Sequence, residues 1–373
     1  MKRKCLNMAL AAILSAAVLC GCQGTRETDG SPQKMQEVQE TEAPEVPEVQ
    51  GSEEHGERQA EASEKKEGQQ GEISDGALVT VRVASLKGPT TMGLVKLWQQ
   101  QDEGAAEGDY EFQMMIGADE IMPRMLKGEV DIALLPANAA AILYQKSEGA
   151  VSVIDINTLG VLYMVSGDRS IERIEDLKGK TVYLTGKGTT PDYVLRYLLA
   201  RHGIDEGDVK LEYKSEAAEV AALLKENPDC IGLLPQPFVT AACMQNEALS
   251  VVLDLDTEWA ALNDGQGVVT GVTVVRKDFL KDHPEAVDIF LKEHQDSAQF
   301  VNDNVEEAAG MIVERGIVEK APIAVKAIPA CHITCIKGAE MKEALSDYLK
   351  ILFEQDPEFI GGLMPEDDFY EVR

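Results

Sequence analysis

Val83-Ala84-Ser85-Leu86-Lys87-Gly88-Pro89-Thr90-Thr91 comes back one hundred residues later as Tyr183-Leu184-Thr185-Gly186-Lys187-Gly188-Thr189-Thr190-Pro191. In each copy an apolar run enters Lys-Gly, passes through threonines and opens an amphipathic stretch. A second pair repeats at nearly the same offset: Asp131-Ile132-Ala133-Leu134-Leu135-Pro136 and Cys230-Ile231-Gly232-Leu233-Leu234-Pro235, with prolines 99 residues apart. A single Lys-Gly match would carry nothing. Two motif pairs at one offset describe the duplication of a strand–loop–helix unit. Around the first copy, Leu78–Ser85 alternates like a strand and Thr91–Gln101 is spaced like a helix. Tyr110–Ile116 is a second strand, with a short helix following through Met125. Val130–Leu135 is a continuous apolar run between Gly128 and Pro136, which suits a strand buried on both faces. Pro136–Gln145 is an Ala-rich helix whose leading proline loses no hydrogen bond. Strands alternating with helices predict an α/β protein with mostly parallel sheets, and the duplication predicts two Rossmann-like lobes.

Open parallel sheets bind ligands at the carboxyl ends of their strands. The repeat therefore points to a cleft between the lobes, lined by Lys87, Gly88, Thr90, Thr91, Ala137, Asn138, Gly188, Thr189, Thr190 and Gln236. Helices opening near Thr90, Ala137, Thr190 and Gln236 would turn free N–H groups toward it, which suits an anionic or strongly polar small molecule. Each helix end contributes about 0.3–1 kcal/mol, against about 8 kcal/mol for a micromolar ligand. The threonines could instead cap their own helices. Lys87 and Lys187 are either anion partners or solvated loop lysines. Trp259, Tyr144, Tyr163 and Tyr193 read as core aromatics more readily than as a wall for a ring. The Glu/Lys pattern across 339–354 is a solvated helix face.

The N-terminus carries an address. Lys2, Arg3 and Lys4 precede an apolar run from Leu6 to Leu19, too short to span a hydrocarbon core of about 30 Å, and so an export signal. It ends in Leu19-Cys20-Gly21-Cys22, which resembles the lipobox of bacterial lipoproteins and implies cleavage before Cys22 and lipid on its thiol. Residues 1–22 are thus the signal and residues 23–76 a disordered acidic tether. Residues 23–75 hold no aromatic residue, with 15 acidic and 5 basic side chains. The tether would span roughly 40 Å root-mean-square. Of the formal charge of −30, −23 falls on residues 76–373. So acidic a region has no footprint for nucleic acid, and lipid rather than surface charge holds it to a membrane. Cys230 and Cys243 sit in apolar segments and are expected to be buried. Cys331 and Cys335 also read as structural thiols, with a disulfide as the alternative: their spacing does not match Cys-x-x-Cys, and His332 alone cannot complete a zinc site. No metal or cofactor is expected. Elbow serine, Walker and His-Glu-x-x-His motifs are missing, and five histidines leave little for acid–base work.

Gly128-Glu129-Val130-Asp131-Ile132-Ala133, Ile174-Glu175-Asp176-Leu177-Lys178-Gly179-Lys180-Thr181-Val182 and the helix opened by His283-Pro284-Glu285 together resemble the type 2 periplasmic-type solute-binding proteins of ABC importers. Within that fold the chain is similar to the aliphatic-sulfonate, nitrate and thiamine-pyrimidine binding group. The resemblance covers nearly all of 77–373. It implies a first lobe built from 77–165 together with 271–373, and a second lobe inserted at 166–270. Leu159–Ser166 and Val268–Val275 would be the crossing strands, and Gly265, Gly267 and Gly271 would ease the return. It further implies a monomer, anchored outside the cytoplasm through Cys22, that passes a small solute to a membrane permease and its ATPase. A sensory lipoprotein docking on a receptor is the alternative. Enzymes of the same fold, the pyrimidine synthases and menaquinone-pathway lyases, are cytosolic and would carry no lipobox.

Overall fold

The structure, a computed structural model, describes residues 78–373. The export signal, Cys22 and the tether lie outside the described residues. No described helix is long and apolar enough to cross a membrane.

The chain begins with β1 (Thr80–Leu86), α1 (Pro89–Met92), α2 (Val95–Asp102), β2 (Asp109–Met115), α3 (Ala118–Leu126), β3 (Ile132–Pro136), α4 (Ala137–Lys146) and β4 (Val151–Thr158). It continues through β5 (Leu162–Ser166), β6 (Thr181–Thr185), α5 (Thr190–Arg201), β7 (Lys210–Lys214), α6 (Ala217–Glu226), β8 (Ile231–Pro235), α7 (Phe238–Gln245), β9 (Ser250–Asp254) and α8 (Leu255–Leu262). It closes with β10 (Gly271–Arg276), α9 (Lys277–Asp282), α10 (Pro284–Asp303), α11 (Val305–Glu314), α12 (Ala321–Ala327), β11 (Ile333–Ile336) and α13 (Gly338–Gln355). The first sheet has the order β11-β4-β10-β3-β1-β2 and the second β7-β6-β8-β5-β9. The duplication in the sequence is thus a duplication of topology: β2-β1-β3-β10-β4 in one sheet answers β7-β6-β8-β5-β9 in the other. In each, one antiparallel strand sits beside the third parallel strand. The expected α/β class with two Rossmann-like sheets is what the chain adopts.

Three local expectations are corrected. The helix expected over Thr91–Gln101 is two pieces, α1 and α2, broken at Gly93–Leu94. Any side chain at Gly93 would stand 3.1 Å from Ile333, and Ser297 of α10 takes up groups at the break by bonding Gly93 O (2.7 Å) and Leu97 N (3.2 Å). The crossing strands differ as well. β5 pairs only within the second sheet and β10 only within the first. The chain passes between sheets in the short segments 159–161 and 263–270. Finally, Cys230 and Cys243 are only partly buried, and all four described cysteines are free.

The Gly-Glu-Val-Asp-Ile-Ala motif holds the first sheet together. Asp131 is 1% exposed and accepts from Arg82 Nε (2.8 Å), Arg82 Nη2 (2.6 Å), the Arg82 backbone N–H (3.0 Å) and Arg276 Nη2 (3.0 Å). Burial alone would raise its pKa, but the bonds from Arg82 and Arg276 outweigh burial and hold it below the usual carboxylate range. Gly128 turns with φ of +72°, and a Cβ there would stand 2.7 Å from Arg276 Nη1. The glycine is therefore required both by the turn and by the arginine. In the second sheet Cys230 stands where Asp131 does, without an ion pair.

Candidate functional site

The ends of β3, β4 and β10 meet at one point. Gly271 pairs with Pro136 on one side and Thr158 on the other, and Ala137 N–H donates to Thr270 O at 3.1 Å. Gly271 leaves the space open: a Cβ there would stand 2.5 Å from Asn157 Oδ1 and 3.0 Å from Thr90 Cγ2. Thr90, Asn157 and Thr158 thus surround Gly271 on the first sheet, the candidate floor of a cleft. From the second sheet, Thr190 at the start of α5 comes down on it, its Oγ1 lying 3.5 Å from Asn138 Oδ1. Gln236 hangs from the first crossing, its N–H donating to Val161 O at 3.0 Å. Thr90, Asn138, Thr190 and Gln236 all lie under 10% exposed, so the cleft is closed.

The structure separates the expected residues into two groups. Thr190 and Asn138 meet, and Thr90, Gln236, Gly88 and Ala137 are buried as well. Lys87, Gly188 and Thr189 are exposed and do not join the buried cluster. Lys187 lies over the Tyr213 ring at 5.6 Å. Thr91 is fully buried and bonds Ser85 Oγ (2.7 Å) and Leu86 O (2.5 Å), which makes it a core residue. Neither α1 nor α5 has a side-chain cap. The threonines hold loop carbonyls instead: Thr90 Oγ1 donates to Leu86 O at 2.8 Å and Thr189 Oγ1 to Gly186 O at 2.6 Å. The aromatics are core: Trp259 packs between Tyr197 and Tyr348, Tyr193 stacks on Phe359, Tyr144 meets Phe369 edge-on, and Tyr163 donates to Ala330 O.

Asn157, Thr158, Thr270, Gly271 and Tyr348 belong to the same place and were not found from sequence. Asp155 and Asn157 gave a signal, since polar residues alternate there in a strand buried at all eight positions. Tyr348 gave none, because it sits on the apolar face of α13 with Leu345, Leu349 and Leu352. The buried hydroxyls of Tyr348 and Thr270 have no hydrogen-bond partner among the described residues. Burial raises the Tyr348 pKa, with the nearby Thr190 hydroxyl acting the other way. Beneath the floor a hydrogen-bonded chain runs into the core. Asn157 Nδ2 donates to Thr273 Oγ1 (3.1 Å), Thr273 Oγ1 to Asp155 Oδ1 (2.8 Å), and Asp155 Oδ2 faces His294 Nδ1 (3.2 Å).

The electrostatics differ from four converging helix ends. α1 has four residues. The first N–H of α4 is already bonded to Thr270 O. α5 carries the buried Asp192 in its first turn, accepting from Gly188 N–H at 2.9 Å. α7 starts at Phe238, two residues beyond Gln236. The converging side chains are all uncharged. Thr90 has spent its proton on Leu86, so it can only accept; Gln236 has spent Oε1 on Thr240 (2.9 Å from Oγ1), so its amide N–H groups remain to donate. Such a lining matches a molecule with both donors and acceptors better than a bare anion.

Residues 118–308 match a family model described as NMT1/THI5-like. Among solved structures, the chain is similar to an ABC transporter protein from Parabacteroides distasonis, with 24% identity, 79% of this chain and 99% of that one covered, and a TM-score of 0.68. It is also similar to the periplasmic aliphatic sulphonate binding protein of Escherichia coli (16% identity, 79% and 96% covered, TM-score 0.62). The periplasmic nitrate-binding protein of Synechocystis aligns at 14% identity, with 78% of this chain and 84% of that one covered and a TM-score of 0.56. No curated protein matches the chain.

Proposed function

The chain belongs to the NMT1/THI5-like family, and on that premise we propose that it is the solute-binding component of an ABC importer. It captures a small polar solute between its two sheets and presents the closed form to a membrane permease. The observation that carries this reading is the meeting of Thr190 with Asn138 across the cleft, over a floor of buried, uncharged, partly unpartnered polar groups. A buried donor or acceptor without a partner is costly, and a solute that pairs Tyr348, Thr270 and Gln236 removes that cost. The short segments 159–161 and 263–270 are the places where rigid-body opening would concentrate its rotation. The Thr190–Asn138 contact, at 3.5 Å, is weak, and the closed form is also held by Tyr163 donating to Ala330 O, Tyr193 stacked on Phe359 and Trp259 packed against Tyr348.

The lining favours uncharged or singly charged solutes that both donate and accept, pyrimidine-like rings among them, over sulfonates and nitrate. Lipid on Cys22 would keep the protein at the outer face of the membrane, within reach of the permease. The test is isothermal titration of the full chain with a panel of pyrimidines, sulfonates, nitrate and flavins. Saturable binding of a pyrimidine-like solute at micromolar affinity is expected. Binding of sulfonates or nitrate alone would reverse the ligand class, and no binding across the panel would remove the importer reading.

A further inference from the structure

We propose that Asp155, His294 and Cys335 form a site for a zinc-type divalent transition metal, set inside the first sheet's layer and separate from the solute cleft. The three residues come from β4, α10 and β11, and one ligand atom from each lies within 4.8 Å of the other two. Ligand atoms around a tetrahedral zinc, with bonds of about 2.0–2.3 Å, stand about 3.3–3.8 Å apart. Small side-chain movements therefore bring them onto one ion.

Three observations favour a metal over a merely structural cluster. His294 is fully buried, and its Nε2 has no hydrogen-bond partner among the described residues, while Nδ1 lies 3.2 Å from Asp155 Oδ2. Asp155 is likewise 0% exposed and is turned toward the imidazole by Thr273 Oγ1, bonded to its other oxygen at 2.8 Å; such outer partners orient metal ligands. On binding, the ion would displace protons from the imidazole and the thiol, after which a carboxylate, a thiolate and a neutral imidazole would balance a divalent cation. An oxygen, a nitrogen and a sulfur suit zinc and its neighbours rather than calcium or magnesium. Cys335 is only partly buried, which leaves an entry path and a fourth coordination position. Its sequence neighbours stay out of the site. Cys331 Sγ lies 3.9 Å from Met92 Sδ, and His332 Nδ1 faces Gly160 O. The Cys-His-x-x-Cys segment therefore sends only its last residue to the cluster.

The full chain is produced in cells supplied with Co(II), dialysed against metal-free buffer, and analysed for metal by mass spectrometry and for thiolate-to-cobalt absorption. One cobalt per chain with that absorption is expected. Cys335→Ala, which shortens a partly buried side chain, should keep the circular dichroism spectrum and lose the band and at least ten-fold of the bound metal. Cys335→Ser, closer in shape, should keep the fold and lose the band as well. Less than a tenth of a metal per chain, or metal and absorption unchanged in both variants, overturns the proposal.

Discussion

The four threonines of the duplicated loops should separate cleanly when each is changed to valine. Thr190 Oγ1 has a long contact with Asn138 at 3.5 Å and lies near the Tyr348 hydroxyl, so its loss should leave the unliganded protein within about 0.5 kcal/mol of wild type. If that hydroxyl meets solute in the closed cleft, its removal costs about 0.5–1.5 kcal/mol of binding, or roughly a two- to twelve-fold weaker Kd. Thr91 should show the opposite. Its hydroxyl bonds Ser85 and Leu86 with no exposure, and valine strands the Ser85 hydroxyl at a cost of about 1–3 kcal/mol in stability. For a chain of this size that lowers Tm by roughly 2–6 °C or more, with affinity unchanged. Thr90 should combine a loss of about 1 kcal/mol in stability with weaker binding, and Thr189, exposed, should do neither. Thermal unfolding and titration with the solute found in the panel give both axes. The reasoning is refuted if Thr190→Val binds as wild type does, or if Thr91→Val weakens binding as much as Thr190→Val.

Asp131→Asn breaks a buried ion cluster around two arginines and should cost about 3–5 kcal/mol. Because folding depresses the Asp131 pKa, its contribution is present above the ordinary carboxyl range and lost as pH falls through the depressed value; acid unfolding of the variant should flatten accordingly in a pH series of melts. Asp256, partly buried and bonded to Val268 N–H at 2.7 Å, has its pKa raised, chiefly by desolvation. The folded state thus favours its neutral form, and stability falls as pH rises from the ordinary value through the raised one. Asp256→Asn keeps the acceptor and should raise Tm at pH 7, with little change near pH 3. Gly271→Val should abolish solute binding by filling the space between Asn157 and Thr90, and should cost about 1–3 kcal/mol by overpacking; wild-type affinity in that variant would remove Gly271 from the cleft.

The duplicated motifs carried most of the architecture, because strand–loop–helix units advertise themselves through apolar runs, Lys-Gly and proline. They also pointed to Thr190 and Asn138, which the structure brings within 3.5 Å of each other. Sequence could not show which of two adjacent threonines turns inward, since one residue of helical rotation puts Thr91 in the core and Thr90 at the cleft. Long-range pairs were equally out of reach. Asp131 read as a family signature, while its partners lie 49 and 145 residues away. Tyr348 was hidden because its neighbours on α13 made it one more apolar position. The expectation for Cys331 and Cys335 followed their spacing of four, whereas the neighbour that matters to Cys335 is His294, supplied by a helix 41 residues earlier.

The strand orders also set the sequence of events when the chain folds. Every strand of the second sheet lies within 162–254, so that sheet can complete itself from one continuous stretch. The first sheet cannot. β3 and β4 are made early, yet the strand between them is β10, and the last strand is β11. In a chain synthesised amino end first, two open strand edges wait through more than a hundred residues for residue 271, exposed to wrong pairing in the meantime. The half that is written first is finished last, and a chain truncated before β10 would bring out an intact second sheet beside a first one that is split down the middle.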